Sequence, residues 1–239
     1  MGYMTQTLTT KNNMIGLNFG QVGDGAALPI QEVVPGDQAG LNRGAGAGVA
    51  DNIQVLGDSG YTVYYLSNGV FGKNNKPEVN GKWVKSGENV ATEDTIPVGG
   101  AFWFISQTAA TTPVTITLTG QVAQDASLSK TIKNGINMIA SGFAYDIVLN
   151  AEGTGLNVGT RGAGAGVADN IQVLSGTAYT VYYLSNGVFG KNNKPEVDGK
   201  WVKSGENVAT TDAIPAGASA WYISRGVDFD WSHSRPYSL

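Results

Sequence analysis

The chain has no cysteine, one histidine and few charged residues. Without cysteine there are no disulfides, no thiolate metal sites and no thiol nucleophile. One histidine with no cysteine also removes the usual zinc ligand sets. Charged residues make up 14% of the chain, against roughly 25% in ordinary soluble domains, and the formal net charge is -4. With no Lys/Arg cluster to meet phosphates, nucleic acid is excluded as a partner. No apolar run reaches the roughly 20 residues of a membrane-spanning helix. Residues 1–5 lack the basic and apolar regions of a secretory leader, so no leader peptide is expected within this chain. What the chain does have is 34 Gly, much Thr, Asn and Ser, and a hydrophobic fraction of 41%, enough for ordinary cores. That composition suits an exported protein, extracellular or at a bacterial cell surface.

A long internal repeat organises the rest. RGAGAGVADNIQV at residues 43–55 recurs at 161–173, YTVYYLSNGVFGKNNKPEV at 61–79 recurs at 179–197, and GKWVKSGENVAT at 81–92 recurs at 199–210. Upstream, residues 6–19 align more loosely with 130–143, and the second copy is six residues shorter between Phe143 and Arg161. Solenoid and propeller periods run about 20 to 50 residues, so a repeat of this length is a whole domain. The expected division is 1–122 and 123–239, two domains of one fold that superimpose across 43–106 and 161–224.

Within each copy the signals are β. Residues 51–56 and 61–67 are rich in β-branched and aromatic types. Asn68-Gly69 and Asn80-Gly81, with Asn186-Gly187 and Asp198-Gly199 in the second copy, are dipeptides suited to type I′ hairpins. Val114, Ile116 and Leu118 alternate with threonines and face one way. In the second copy Val227, Phe229 and Trp231 are expected to take their place. Residues 30–34 read as a strand or a single helical turn. The fold class is therefore all-β: two tandem homologous β-sandwich or partly closed barrel domains.

The chemistry-bearing residues give no catalytic constellation. The run 44–48, GAGAG, lacks the third glycine and the strand–helix setting of a dinucleotide loop, and reads as a place of tight turning or close backbone approach. His233 has Asp228, Asp230 and Ser232 as neighbours, but triad members converge from distant segments, so His233 is expected to be solvated near the terminus. Asp228-x-Asp230-x-Ser232 has the alternate-oxygen spacing of calcium loops, which makes Asp228 and Asp230 calcium candidates. The sixth position is His233 rather than glycine and no distal Glu follows, so no metal and no cofactor are expected. The carboxylates repeated between copies, such as Asp94 and Asp212, lie in loop-like stretches. The expectation is that the protein is not an enzyme.

Aromatic residues carry the binding potential. Tyr64 and Trp83, with Tyr182 and Trp201 in the second copy, are candidates to stack on sugar rings or anchor an interface. Trp103 is expected in the core. The terminal segments, with Tyr3, Leu8, Tyr237 and Leu239, are candidates for adding to a neighbour's sheet edge.

Each copy opens with N-M-I (Asn13-Met14-Ile15; Asn137-Met138-Ile139). Each then has an aromatic middle and a K-W-V strand, and closes on I-P-x-G before a tryptophan strand: Ile96-Pro97-x-Gly99 before Phe102-Trp103, and Ile214-Pro215-x-Gly217 before Trp221-Tyr222. This resembles the β domains of secreted and surface-attached bacterial proteins that have a G-W-N-L-I-type opening and an I-P-x-G-x-x-F-W close. Asn12 and Ile136 stand where that opening has tryptophan. The resemblance implies export and a non-enzymatic role. Two functions follow as expectations: a self-assembling filament or surface-layer subunit whose partners are copies of itself, or a carbohydrate-binding or adhesin module.

Overall fold

The computed structural model describes residues 2–23, 25, 27–109 and 111–237. The chain divides into two compact units, Met1–Ala123 and Gln124–Leu239. In both, nearly all of the regular secondary structure is antiparallel strand.

In the first unit a five-stranded sheet runs in the order Asn12–Gly16, Ala101–Ile105, Asn52–Gly57, Gly60–Leu66, Trp83–Lys85. A three-stranded sheet places Val114–Val122 between Gly2–Leu8 and Phe19–Gly20. Period-two alternation decides what each sheet turns inward. Val114, Ile116 and Leu118 are buried beside Leu8, and they meet Ile15, Ile53, Phe102 and Phe104 of the larger sheet in one hydrophobic cluster. Two sheets sharing one core make a β-sandwich-like unit.

The second unit repeats the larger sheet as Gly135–Ala140, Ser219–Ser224, Asn170–Ser175, Ala178–Leu184 and Trp201–Lys203. Opposite it, Ser127–Ile132 pairs with Phe229–Ser234. The ladder corrects the expected alignment of the last strand. Phe229 lies opposite Ile132 as Val114 lies opposite Leu8, so Phe229, Trp231 and His233 occupy the places of Val114, Ile116 and Leu118. Val227 falls outside the strand and is 84% exposed.

Among the described residues near the termini, Gly2–Leu8 and Phe229–Ser234 are strands of their own units. Gly2–Leu8 pairs along its length with Val114–Val122, because its alternation matches that of the partner. The amide of Arg235 extends the second unit's ladder to the Ala126 carbonyl.

The asparagine–glycine turns are not type I′. That turn needs positive φ at both central residues, and among the described residues only glycines have it. Asn80 (φ -65, ψ 126) and Gly81 (φ 76) have the angles of a type II turn, closed by the Lys82 amide on the Val79 carbonyl. Asp198-Gly199 repeats it. At Asn68 the side-chain Oδ1 accepts from the Val70 amide, as Asn does when it mimics a backbone turn. The tight hairpin falls four residues later, at Gly72-Lys73 between Val70–Phe71 and Asn74–Asn75.

Five of the six extra residues of the first unit lie between Phe19 and Leu28, since Leu28–Pro29 and Ile147–Val148 pair with equivalent strands. Just beyond them Ile30–Val33 forms one helical turn in the first unit. Gln31 there donates to the Trp83 and Thr92 carbonyls and accepts from the Trp83 amide. Asn150 makes the same three bonds to Trp201 and Thr210 in the second unit. A side chain one methylene shorter thus performs the same clamp.

Candidate ligand-binding face

The expected stacking residues are buried. Trp83 and Trp201 are wholly enclosed, and Tyr64 and Tyr182 nearly so. The strand Trp83–Lys85 turns its tryptophan inward because Trp83 pairs with Leu66, a core position, and Phe104 meets its ring edge-on at 6.1 Å. Tyr64 spends its hydroxyl on Asp94 Oδ2 at 2.7 Å, and Tyr182 on Asp212 at the same distance. Burial and that bond hold the Tyr64 hydroxyl well above the usual phenol range. The bond in turn draws the Asp94 carboxyl below its usual range, aided by Lys85. None of these four rings has a face to offer a ligand; they are packing residues.

Trp103, expected in the core, is instead on the outer face of its strand. In Ala101–Ile105 Phe102 and Phe104 point into the core, so Trp103 must point out, and it is only half-buried. The ladder sets Trp103 directly opposite Gln54, and Gln54 opposite Val63, with Tyr61 opposite Leu56 one step along the same face. Tyr61 is 44% exposed. Asn12, Gln54, Tyr61, Trp103 and Ile105 together line an open depression of about 330 Å³. Gln54 donates its amide N–H to Asn52 Oδ1 at 2.8 Å, which fixes its orientation and leaves its carbonyl oxygen as an acceptor.

The second unit carries the same strip in the same register: Trp221 opposite Gln172, Gln172 opposite Val181, and Tyr179 opposite Leu174. Gln172 is oriented by Asn170 at 3.0 Å, and the Trp221 indole donates to the Tyr179 hydroxyl at 3.2 Å. One position differs: Ile136, 64% exposed, stands where the first unit has Asn12. Strict alternation in the strands AFWFI and SAWYIS was the signal for both tryptophans.

The remaining candidates lie elsewhere. Gly44 occupies a close approach: a Cβ there would meet Val49 and Ala50 at about 3 Å, and its amide and carbonyl bond to Leu66 and Asn68. That loop is a structural lid over a small cluster of Ala50, Tyr65, Val79 and Val84. Asp228 accepts from the Asn134 amide and Asp230 from the Thr131 hydroxyl. Among the described residues no three His, Cys, Asp or Glu side chains gather as a metal site. His233 is not solvated but 9% exposed, stacked on Trp231 at 4.6 Å and edge-on to Phe143 at 5.1 Å. Of the assembly candidates, Leu8 is buried, Tyr3 is 75% exposed, and Tyr237 packs edge-on against Phe143. Leu239 lies outside the described residues. Among the described residues no helix is long and apolar enough to cross a membrane.

No family model, curated protein or solved structure matches the chain.

Proposed function

We propose that the protein is a non-enzymatic carbohydrate-binding module that uses the outer face of the five-stranded sheet in each unit. A sugar ring has an apolar face of C–H groups and an edge of hydroxyls. Its receptor therefore needs a flat aromatic surface beside oriented amides. The observation that carries the reading is the Trp–Gln–Tyr strip, present in identical register in both units: Trp103, Gln54, Tyr61 and Trp221, Gln172, Tyr179. The depression in the first unit falls at the small end of the roughly 300–1,000 Å³ range of ligand pockets, suited to one or two sugar units. Two weak sites on one chain gain avidity on a polymeric ligand. The composition and the resemblance to surface-attached β domains support a location outside the cell.

The test is binding of the full chain to an array of neutral and amino oligosaccharides, followed by titration of the saccharides retained. Trp103→Ala with Trp221→Ala should lower affinity at least tenfold while both units stay folded, since both tryptophans are only half-buried. Failure to retain any saccharide, or unchanged binding by the double variant, would refute the reading.

A second reading, self-assembly into a filament or surface layer, rests on the Gly2–Leu8 strand. It pairs with one neighbour only among the described strands, which leaves a sheet edge bearing exposed Tyr3. Such an edge is a template for another chain. Light scattering at rising concentration decides it: growing particles favour assembly, and a persistent monomer rules it out.

A further inference from the structure

The second unit holds a polar feature where its sibling has leucine. The ladder places His233 at the position of Leu118, and the sequence alignment places Ser141 at that of Leu17. Leu118 and Leu17 are both fully buried in the first core, so the fold has an apolar solution at these two places. The second unit replaces it with an imidazole bonded to a backbone carbonyl. Burying a polar ring costs free energy that a leucine does not incur.

The protonation state of that ring follows from its partner. Nε2 bonds the Ser141 carbonyl, which can only accept, so Nε2 carries the hydrogen. Nδ1 is then a bare acceptor, and it is buried with no donor. Burial holds the imidazole below its usual pKa, which keeps it neutral.

Beside the ring lies a cavity of about 210 Å³. A dry apolar cavity of ~150 Å³ can hold benzene, so there is room for a small organic molecule. Phe143, Ile147 and Val148 supply apolar wall; His233, Asp146 and Glu152 also line it. Arg235 also lines the cavity, with its guanidinium turned onto the Gln124 and Tyr237 carbonyls. Two carboxylates against one guanidinium leave the lining net negative. Asp146 uses Oδ1 on the Ala216 amide, which orients its carboxylate.

We propose that this cavity binds a small organic ammonium ion: a primary amine on a short hydrocarbon body. The charged head brings several N–H donors to the Asp146 and Glu152 carboxylates, which line the cavity together with the His233 residue. The hydrocarbon body covers the apolar wall. The site belongs to the second unit alone and is independent of the sheet-face strip.

Because the chain has one histidine, its ring proton gives a single reporter in a proton–carbon NMR spectrum. The full chain is titrated with n-hexylammonium chloride, with n-hexanol and hexanoate as comparisons. The amine should give a saturable shift of the His233 signal, with the alcohol at least tenfold weaker and hexanoate without effect. By calorimetry, Asp146→Asn with Glu152→Gln should weaken the amine at least tenfold. His233→Leu, which installs the sibling's residue, should stay folded and also bind more weakly. No saturable shift, an equal response to hexanol, or unchanged affinity in these variants would overturn the proposal. Trp103→Ala with Trp221→Ala should leave the amine titration as it was, which separates this site from the saccharide face.

Discussion

The Trp83 indole donates to the Val34 carbonyl at 2.6 Å, while the equivalent Nε1 of Trp201 is buried with no acceptor. Val34 follows the helical turn Ile30–Val33, and among the described residues no helix stands at the equivalent place in the second unit. Losing a buried partner costs about 1–3 kcal/mol. Trp83→Phe orphans the Val34 carbonyl, whereas Trp201→Phe removes a donor that is already unsatisfied. The first substitution should therefore destabilise its unit by about 1–3 kcal/mol more than the second does its own. Thermal unfolding of the two full-length variants checks this, and equal losses would contradict it.

Two glycines three residues apart should respond differently to substitution. Gly69 has φ 77, and a Cβ there would sit 2.8 Å from the Lys76 carbonyl oxygen. Gly72 has φ 60 with open space around it. Gly69→Ala should cost roughly 1–3 kcal/mol, from positive φ and the clash together. Gly72→Asn should cost well under that, since Asn tolerates the left-handed region. Urea midpoints of the two variants give the comparison.

His233 makes the second unit acid-sensitive. Burial depresses its pKa in the folded state, while the unfolded chain takes up a proton near pH 6.5. A depressed pKa contributes stability that is present above the unfolded value and lost as pH falls below it. Denaturant midpoints of the second unit should decline between pH 7 and pH 5, and His233→Leu should flatten that part of the profile. A slope unchanged by the substitution would assign the loss to other groups.

The two proposed saccharide faces should differ in strength, and one position should account for the difference. Asn12 adds an amide to the rim of the first face, where Ile136 presents hydrocarbon in the second. Ile136→Asn should raise the second face's affinity for a hydroxyl-rich ligand, and Asn12→Ile should lower the first's, each by several-fold. Titration of each substitution in a chain whose other face carries the tryptophan-to-alanine change reads them separately.

The all-β class, the repeat and the inward faces of the long strands were legible in the sequence, because period-two patterning and residue identity are local properties. The inward set Val114, Ile116 and Leu118 follows from alternation alone. So does the close approach at Gly44, where only small residues stand. Three-dimensional pairing decided the rest. Whether Trp83 or Trp103 meets solvent depends on which face of its strand covers the other sheet, and the cross-strand partners Leu66 and Gln54 set that. Turn type at Asn68 depended on competition between its side chain and the backbone, which the dipeptide does not display. His233 looked like a solvated end residue because burial near a terminus is conferred by a distant strand. Its pairing with Leu128 puts an imidazole where the sibling unit has a leucine, and no local pattern around residue 233 carries that information.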